Sequence, residues 1–310
     1  MPMPEARAFS PAGISSFFEI KDRRPDGRAF ENPARAGARG GGLVISRGII
    51  TDLRLTPARR SKIAVRINGR LARNAKTTAM TISRLLALSR EKFLVAVDHD
   101  VRVPIGAGYG ASAAGALSAA LAFAEAAGLE LSANQLGTVA HLAEIANGTG
   151  LGTVGPILTG GFVITRKAGA PGIAVIDRLP VSPRLKVVSA CFGAISTKAL
   201  LRSKRARERV NALGKSALRR IARNPTPRNF MEASEEFAVA LGLMDRRTAQ
   251  LLGLMKDAGA IGAAQNMVGQ AVHAIAEEDV AQHIVNLVKE RFSGLATFSC
   301  DIDFAGARLI

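Results

Sequence analysis

The 310-residue sequence predicts two domains, each mixing strands with helices. Length sets the domain number, because ~150 residues per domain is the usual scale. The apolar share of 48% is enough to fill cores of that size. A proline-bracketed break at Pro180–Pro183 divides the chain into 1–182 and 183–310, and β-branched runs alternate with helical stretches on both sides of it.

From the N-terminus, Ala8–Ile20 reads as a strand, a turn at Pro11-Ala12-Gly13, and a second apolar segment. Residues 21–34 are rich in charge, proline and glycine and read as a loop. Ala36-Gly37-Ala38-Arg39-Gly40-Gly41-Gly42 then leads into a strand at Leu43-Val44-Ile45. Glycines around Arg39 let the backbone close on a ligand while the guanidinium stays free for a carboxylate or phosphate; an exposed Arg on a flexible turn fits the same residues equally well. Ile63–Ile67 alternates as a half-buried strand, and Asn68-Gly69 is a strong hairpin signal. A helix is predicted over 75–90, and a strand over Lys92–Val97, where apolar and β-branched residues concentrate. The Ala-rich run 112–127 is a helix with Gly128 just past its end. Ser132-Ala133-Asn134-Gln135 is a capping box that opens a helix to about Ala146. A second glycine-rich loop, Gly148–Thr153, runs into a hairpin of Gly161–Arg166 and Ile173–Ile176, turned by Gly169-Ala170-Pro171-Gly172.

The second half opens with a strand at Leu185–Phe192 and a helical region over 198–223. Val210, Leu213, Ala217 and Ile221 recur there at helical spacing, opposite nine Lys and Arg between Arg202 and Arg223. Shorter helices follow to about Lys256, then a third glycine-bearing loop, 259–266, before a strand at Met267–Ile275. The helix 277–291 starts with Glu277, Glu278 and Asp279 and ends with Lys289 and Arg291, matching its dipole. Ala296–Ile302 is the last predicted strand.

Forty-two Lys and Arg against 25 Asp and Glu give a net charge of +17, which attracts nucleic acid or small anions. Aromatic residues make up 5% of the chain, with no Trp and one Tyr, which argues against a base-stacking platform. The basic helix reads first as a solvated face. No apolar run is long enough to span a membrane, and Met1–Arg7 has no signal-peptide core. Cys191 and Cys300 lie in apolar strand-like runs without metal-ligand spacing, and read as reduced thiols of a cytoplasmic protein. Composition leaves the oligomeric state open, a homodimer included.

The chemistry concentrates at Val103–Leu117, where strand, glycine loop and helix start follow one another. Glycines without Cβ bring backbone N–H groups close to an anion, and a helix N-terminus adds positive potential, so phosphate is the natural occupant. A tight turn without ligand is the competing reading. No Lys-Ser/Thr follows the last glycine, which excludes the Walker pattern, and Gly106-x-Gly108-x-Gly110 lacks the dinucleotide spacing. Glu144 sits in the last turn of its helix, where its charge opposes the dipole by roughly a few tenths of a kcal/mol. A cation bound nearby would explain it; an exposed Glu is the alternative.

Pro104-Ile105-Gly106-Ala107-Gly108-Tyr109-Gly110-Ala111-Ser112-Ala113-Ala114 resembles the Pro-x-Gly-x-Gly-Leu-Gly-Ser-Ser-Ala-Ala motif of the GHMP kinases, with Tyr109 for Leu and Ala111 for the first Ser. Phe9–Phe18 looks like the family's N-terminal motif and Ala260–Val272 like its C-terminal glycine loop, in the family's order. Ser10–Phe18, Arg35–Gly40, Asn147–Gly152, Gly160-Gly161 with Arg166 and Pro171-Gly172, Ile195-Ser196-Thr197-Lys198 and Gly262–Gly269 are most similar to the archaeal branch that phosphorylates pantoate early in coenzyme A synthesis. The resemblance covers nearly the whole chain.

It implies a two-domain α+β GHMP kinase fold, with a ribosomal protein S5 domain 2-like N-terminal half, a ferredoxin-like C-terminal half, and ATP and substrate in the cleft between. It implies ATP binding by Pro104, Gly106, Ala107, Gly108, Tyr109, Gly110, Ala111, Ser112 and Ala113. Ser112 and Glu144 would reach Mg2+, and Thr153 would complete the catalytic set. Ser15, Ser16, Arg39, Gly150 and Arg166 would contact the acceptor, pantoate. Mevalonate-kinase-like members carry a Lys where this chain has Gly13 and an Asp where it has Thr153, so the pair that would deprotonate a hydroxyl is missing. Homoserine kinases also lack that Asp, so positioning alone can suffice. Homoserine or a mevalonate-like hydroxy acid is the alternative acceptor. An S5-like nucleic-acid-binding protein and a non-catalytic nucleotide sensor are the alternatives from other classes, and retention of Ser112 and Glu144 argues against the sensor.

Overall fold

The computed structural model describes residues 4–194, 203–267 and 269–310. The predicted Ile195–Lys198 motif, the first residues of the helical region at 198–223, and Val268 lie outside the described residues.

Two long antiparallel strands, β1 (Glu5–Lys21) and β2 (Gly37–Pro57), run through the first sheet. The predicted turn at Pro11-Ala12-Gly13 does not form. A register shift between Pro11 and Ala12 absorbs the proline, which donates no ladder hydrogen bond, and the strand continues. The glycines at 37–42 likewise belong to β2 rather than to a loop before it. A Cβ on Gly42 would lie 2.1 Å from the Ile14 carbonyl oxygen, so close strand approach selects glycine there. Next come β3 (Lys62–Ile67) and β4 (Arg70–Leu71), with φ +49° at Asn68 and +78° at Gly69, the two left-handed residues of a tight hairpin. β5 (Phe93–Val101) pairs antiparallel with β2 and parallel with β3, extending four residues beyond its predicted end. β6 (Phe162–Lys167) pairs with the glycine end of β2, and β7 (Val175–Leu179) pairs with β6.

Three helices cover this sheet: α1 (Lys76–Leu86), α2 (Ala111–Ala126) and α3 (Ala133–Asn147). The Ser132–Gln135 capping box is formed, and Gly148 ends α3 at φ +60°. Leu53, Leu55, Val95, Ile82 and Phe123 fill the space between sheet and helices. A short helix that periodicity did not announce, α4 (Val154–Thr159), follows the second glycine loop.

The second sheet has the order β11-β8-β10-β9, comprising β8 (Lys186–Ala194), β9 (Gly262–Gln265), β10 (Gly269–Ala276) and β11 (Ala296–Asp301). Residues 262–265, expected in a loop, form β9, because the small side chains of Ala263 and Ala264 bury completely against β10. The helices of this half are α5 (Lys204–Arg223), α6 (Pro227–Leu241), α7 (Arg246–Asp257) and α8 (Glu278–Arg291). On α5, Val210, Ala217 and Ile221 are buried and the basic residues lie on the other side. After β11 the chain returns to the first sheet, where β12 (Arg308–Leu309) pairs with β1. One core joins the sheets: Ile14, Phe17 and Leu43 pack with Val187, Phe230 and Ile275. The architecture is α+β, and among the described residues no helix is long and apolar enough to cross a membrane.

Candidate active site

The loop after β5 reaches α2 through Gly106, Gly108 and Gly110, at φ +77°, +83° and +62°. The first helical hydrogen bond runs from the Ala114 N–H to the Gly110 carbonyl at 2.9 Å. The amides of Ala111, Ser112 and Ala113 therefore have no helical acceptor and point out of the helix end. Of the predicted loop residues, Ala107, Tyr109 and Ala113 bury their side chains and offer backbone only. The Tyr109 hydroxyl lies 2.8 Å from Ser189 Oγ inside the core, and burial pushes its pKa up. Pro104 and Ala111 are half-buried, and Gly106 is exposed.

Ser112 Oγ donates to Glu144 Oε1 at 2.6 Å, and Thr149 Oγ1 donates to the same oxygen at 2.5 Å. Glu144 is only 3% exposed, so the solvated-Glu alternative fails. Burial lifts its pKa above the ordinary carboxylate range, and the two hydroxyl bonds pull the other way. The second glycine loop folds over this carboxylate: a Cβ on Gly150 would sit 2.0 Å from Glu144 Oε2. The donor set, a hydroxyl and a carboxylate, is hard oxygen of the kind Mg2+ takes. No group of three His, Cys, Asp or Glu that could hold a metal occurs among the described residues.

Thr153 begins α4, and its methyl meets both Gly13 and Gly110, at 3.1 Å and 2.6 Å from the positions their Cβ atoms would take. The Gly13 N–H donates to the Tyr109 carbonyl at 3.1 Å. The two positions that depart from the mevalonate-kinase pattern are thus neighbours in space, and they meet through an apolar contact. Asp98 and Asp100, the acidic residues just before the loop, pair with Arg66 and Arg102. His99 between them is buried and bonded to Thr51 and Thr78, and Thr51 in turn to Ser118 of α2, so strand alternation turns both carboxylates away from that helix.

The predicted acceptor residues do not gather in one place. Ser15 is half-buried, and alternation sets it on the same side of β1 as Gly13. Gly150 lies against Glu144. Arg166 is exposed on β6, its Nη2 2.7 Å from Asp177 Oδ2. Ser16, by contrast, is fully buried, with Oγ 2.9 Å from His273 Nε2, and is not open to an acceptor. Arg39 is also set apart. Its neighbour Ala38 meets Gly152 of the second glycine loop, so the pleat turns Arg39 to the opposite face. There Nη1 lies 3.2 Å from Oε2 of buried Glu19, whose other oxygen is 2.7 Å from Lys21 Nζ. Arg39 is neither on a flexible turn nor part of the Ser112–Glu144 cluster.

Sequence reasoning missed two residues around the site and a third beside Arg39. Thr149 stood inside the predicted glycine loop, where a hydroxyl five residues past a helical Glu was the available signal. His141 precedes Glu144 by one helical turn, is buried, and donates Nε2–H to the Ala36 carbonyl at 2.9 Å. Glu19 gave no local signal, since its burial depends on β2.

Against known proteins, residues 74–161 match the family model described as the GHMP kinases N terminal domain. A pantoate kinase of Thermococcus kodakarensis is 30% identical over 92% of this chain and 92% of its own. One from Methanocaldococcus jannaschii is 27% identical over 91% of this chain and 96% of its own. A solved structure described as a phosphotransferase related to the CoA biosynthesis pathway superimposes with a TM-score of 0.88 at 25% identity, covering 99% of this chain and 98% of that one.

Proposed function

Because the chain belongs to the pantoate kinases of the GHMP kinase family, we propose that it transfers the γ-phosphoryl group of ATP to the terminal hydroxyl of pantoate, giving 4-phosphopantoate and ADP. The observation that carries this reading is the bond from Ser112 to buried Glu144 at the open N-terminus of α2. The amides of Ala111–Ala113 and the glycine loop would cradle the triphosphate, and Ser112 and Glu144 would hold Mg2+. When bound, the metal would neutralise charge that develops on the phosphates during transfer. Glu144 must give up its proton to act as a ligand, and burial makes that proton harder to remove.

The transition state of phosphoryl transfer is loose, so positioning and charge stabilisation supply most of the acceleration. Gly13 and Thr153 offer no ionisable pair at the acceptor. The hydroxyl proton accordingly passes to the phosphate as the new O–P bond forms, and Thr153 only shapes the wall. Arg166 is the cation that meets the acceptor carboxylate. Its pairing with Asp177 joins two exposed side chains, an interaction of about 0–1 kcal/mol that an incoming carboxylate can displace. Ser15 lies near the acceptor hydroxyls. The division between halves is read at 182/183, with the C-terminal stretch from Ile302 returning to the first sheet. A kinase assay with ATP, Mg2+ and a panel of hydroxy acids tests the reading. Pantoate is expected to give the highest kcat/KM, and a higher value for homoserine or mevalonate would refute the acceptor assignment.

A further inference from the structure

The third glycine-bearing segment encloses a buried polar chain that the mechanism above leaves unused. His273 of β10, Ser16 of β1 and Asn266 are each 0% exposed. Asn266 Nδ2 donates to the Ala107 carbonyl at 3.4 Å, a long bond whose direction is nonetheless unambiguous, because a carbonyl can only accept. Asn266 Oδ1 is thereby left for His273 Nδ1, 2.9 Å away. An amide oxygen also only accepts, so the hydrogen resides on Nδ1. Nε2 is then a bare lone pair and takes the O–H of Ser16 at 2.9 Å. Hydrogen-bond chemistry thus permits one tautomer. Burial pushes the ring's pKa down to about 3, so it stays neutral at working pH. Backbone contacts tie the same pieces together. The Met267 N–H donates to the Ser15 carbonyl at 2.9 Å, and a Cβ on Gly269 would lie 2.3 Å from the Ala107 carbonyl oxygen.

We propose that His273, locked as the Nδ1–H tautomer, is a positioning residue that acts through Asn266 to set the phosphate loop against the strand carrying Ser15. An apolar side chain could fill the same volume, but it would leave Asn266 Oδ1 without its donor and loosen the amide that reaches the Ala107 carbonyl and the Tyr109 hydroxyl. The inference rests on reading 106–110 as the ATP site, so its test has one readout that needs no nucleotide. The imidazole 15N spectrum of the wild-type protein should report Nδ1 protonated and Nε2 bare; the opposite tautomer would overturn the proposal. Calorimetry with Mg2+ and a non-hydrolysable ATP analogue, followed by steady-state kinetics, then compares two variants. His273→Leu should weaken analogue binding about fivefold to tenfold, the scale of one hydrogen bond, and lower kcat about a hundredfold, the scale of a small misplacement. The KM for pantoate should change little. His273→Asn puts an amide N–H where Nδ1–H stood, and should restore most of kcat. Equal loss in both variants, or no loss in either, would also overturn it. If the wild-type protein bound no analogue while showing the Nδ1–H tautomer, the ATP-site reading would be the one to fail.

Discussion

Gly110→Ala, made with and without Thr153→Ser, dissects the phosphate loop into two separable costs. At φ +62° an L side chain costs roughly 1–2 kcal/mol in backbone strain. The new Cβ would also lie 2.6 Å from Thr153 Cγ2, about 1 Å inside an optimal carbon contact, and 3.1 Å from the Gly13 carbonyl oxygen. Forcing a methyl group into such a packed place costs about 1–3 kcal/mol. The total of about 2–5 kcal/mol is below the stability of a typical domain, so the single variant should fold with a lowered Tm. Thr153→Ser deletes Cγ2 and keeps the hydroxyl, which removes the clash and leaves the strain. Denaturant unfolding of the four proteins in the cycle should therefore show a favourable coupling of about 1–3 kcal/mol in the double variant. Activity should follow the same order: Gly110→Ala should lose about a hundredfold or more in kcat/KM for ATP, the double variant should recover part of it, and Thr153→Ser alone should stay near wild type. Additive energies, within about 0.5 kcal/mol, would mean that the Thr153 methyl does not rest on Gly110, and the reasoning would fail.

The other predictions concern charge. The folded pKa of Glu144 lies above its ordinary value of 4.5, so folding retains its proton. As pH rises from 4.5 toward the folded value, the unfolded chain ionises first and wild-type stability falls. Glu144→Gln escapes that loss, and its Tm relative to wild type should rise between acid and neutral pH; Mg2+ half-saturation in kinetics should tighten with pH in wild type and lose that dependence in the variant. Arg166→Lys should raise KM for pantoate about tenfold with little change for ATP, since a point charge replaces a fork, and an equal effect on both substrates would move the carboxylate elsewhere. Arg39→Lys should instead lower Tm by about 2–4 °C and leave both KM values alone, because its Nη1 pairs with buried Glu19. Asp98→Asn and Asp100→Asn should keep kcat within about twofold; a loss of ~10²–10⁴-fold in either would restore a general base to the mechanism.

The sequence by itself determined what near neighbours decide. The Ser132–Gln135 capping box, the Asn68-Gly69 hairpin and the helical spacing of the apolar stripe of α5 are all patterns within a few residues, and each is legible without the fold. The family motif was legible for the same reason, since its glycines and Ser112 are contiguous. Register and burial belonged to the tertiary structure. The glycines within 37–42 look like a loop until β1 lies 2.1 Å from where a Cβ on Gly42 would stand, and then glycine is what fits in the strand. Glu144 looks like a mildly misplaced surface charge until α2, 32 residues earlier in sequence, brings Ser112 to its carboxylate. Ser15 and Ser16 are indistinguishable as letters. The bulge between Ser15 and Phe17 leaves one on the side of Gly13 and commits the other to His273, 257 residues away. Arg39 and Ala38 part in the same way, because in a pleated strand one step along the chain exchanges the face that meets a ligand for the face that meets the core.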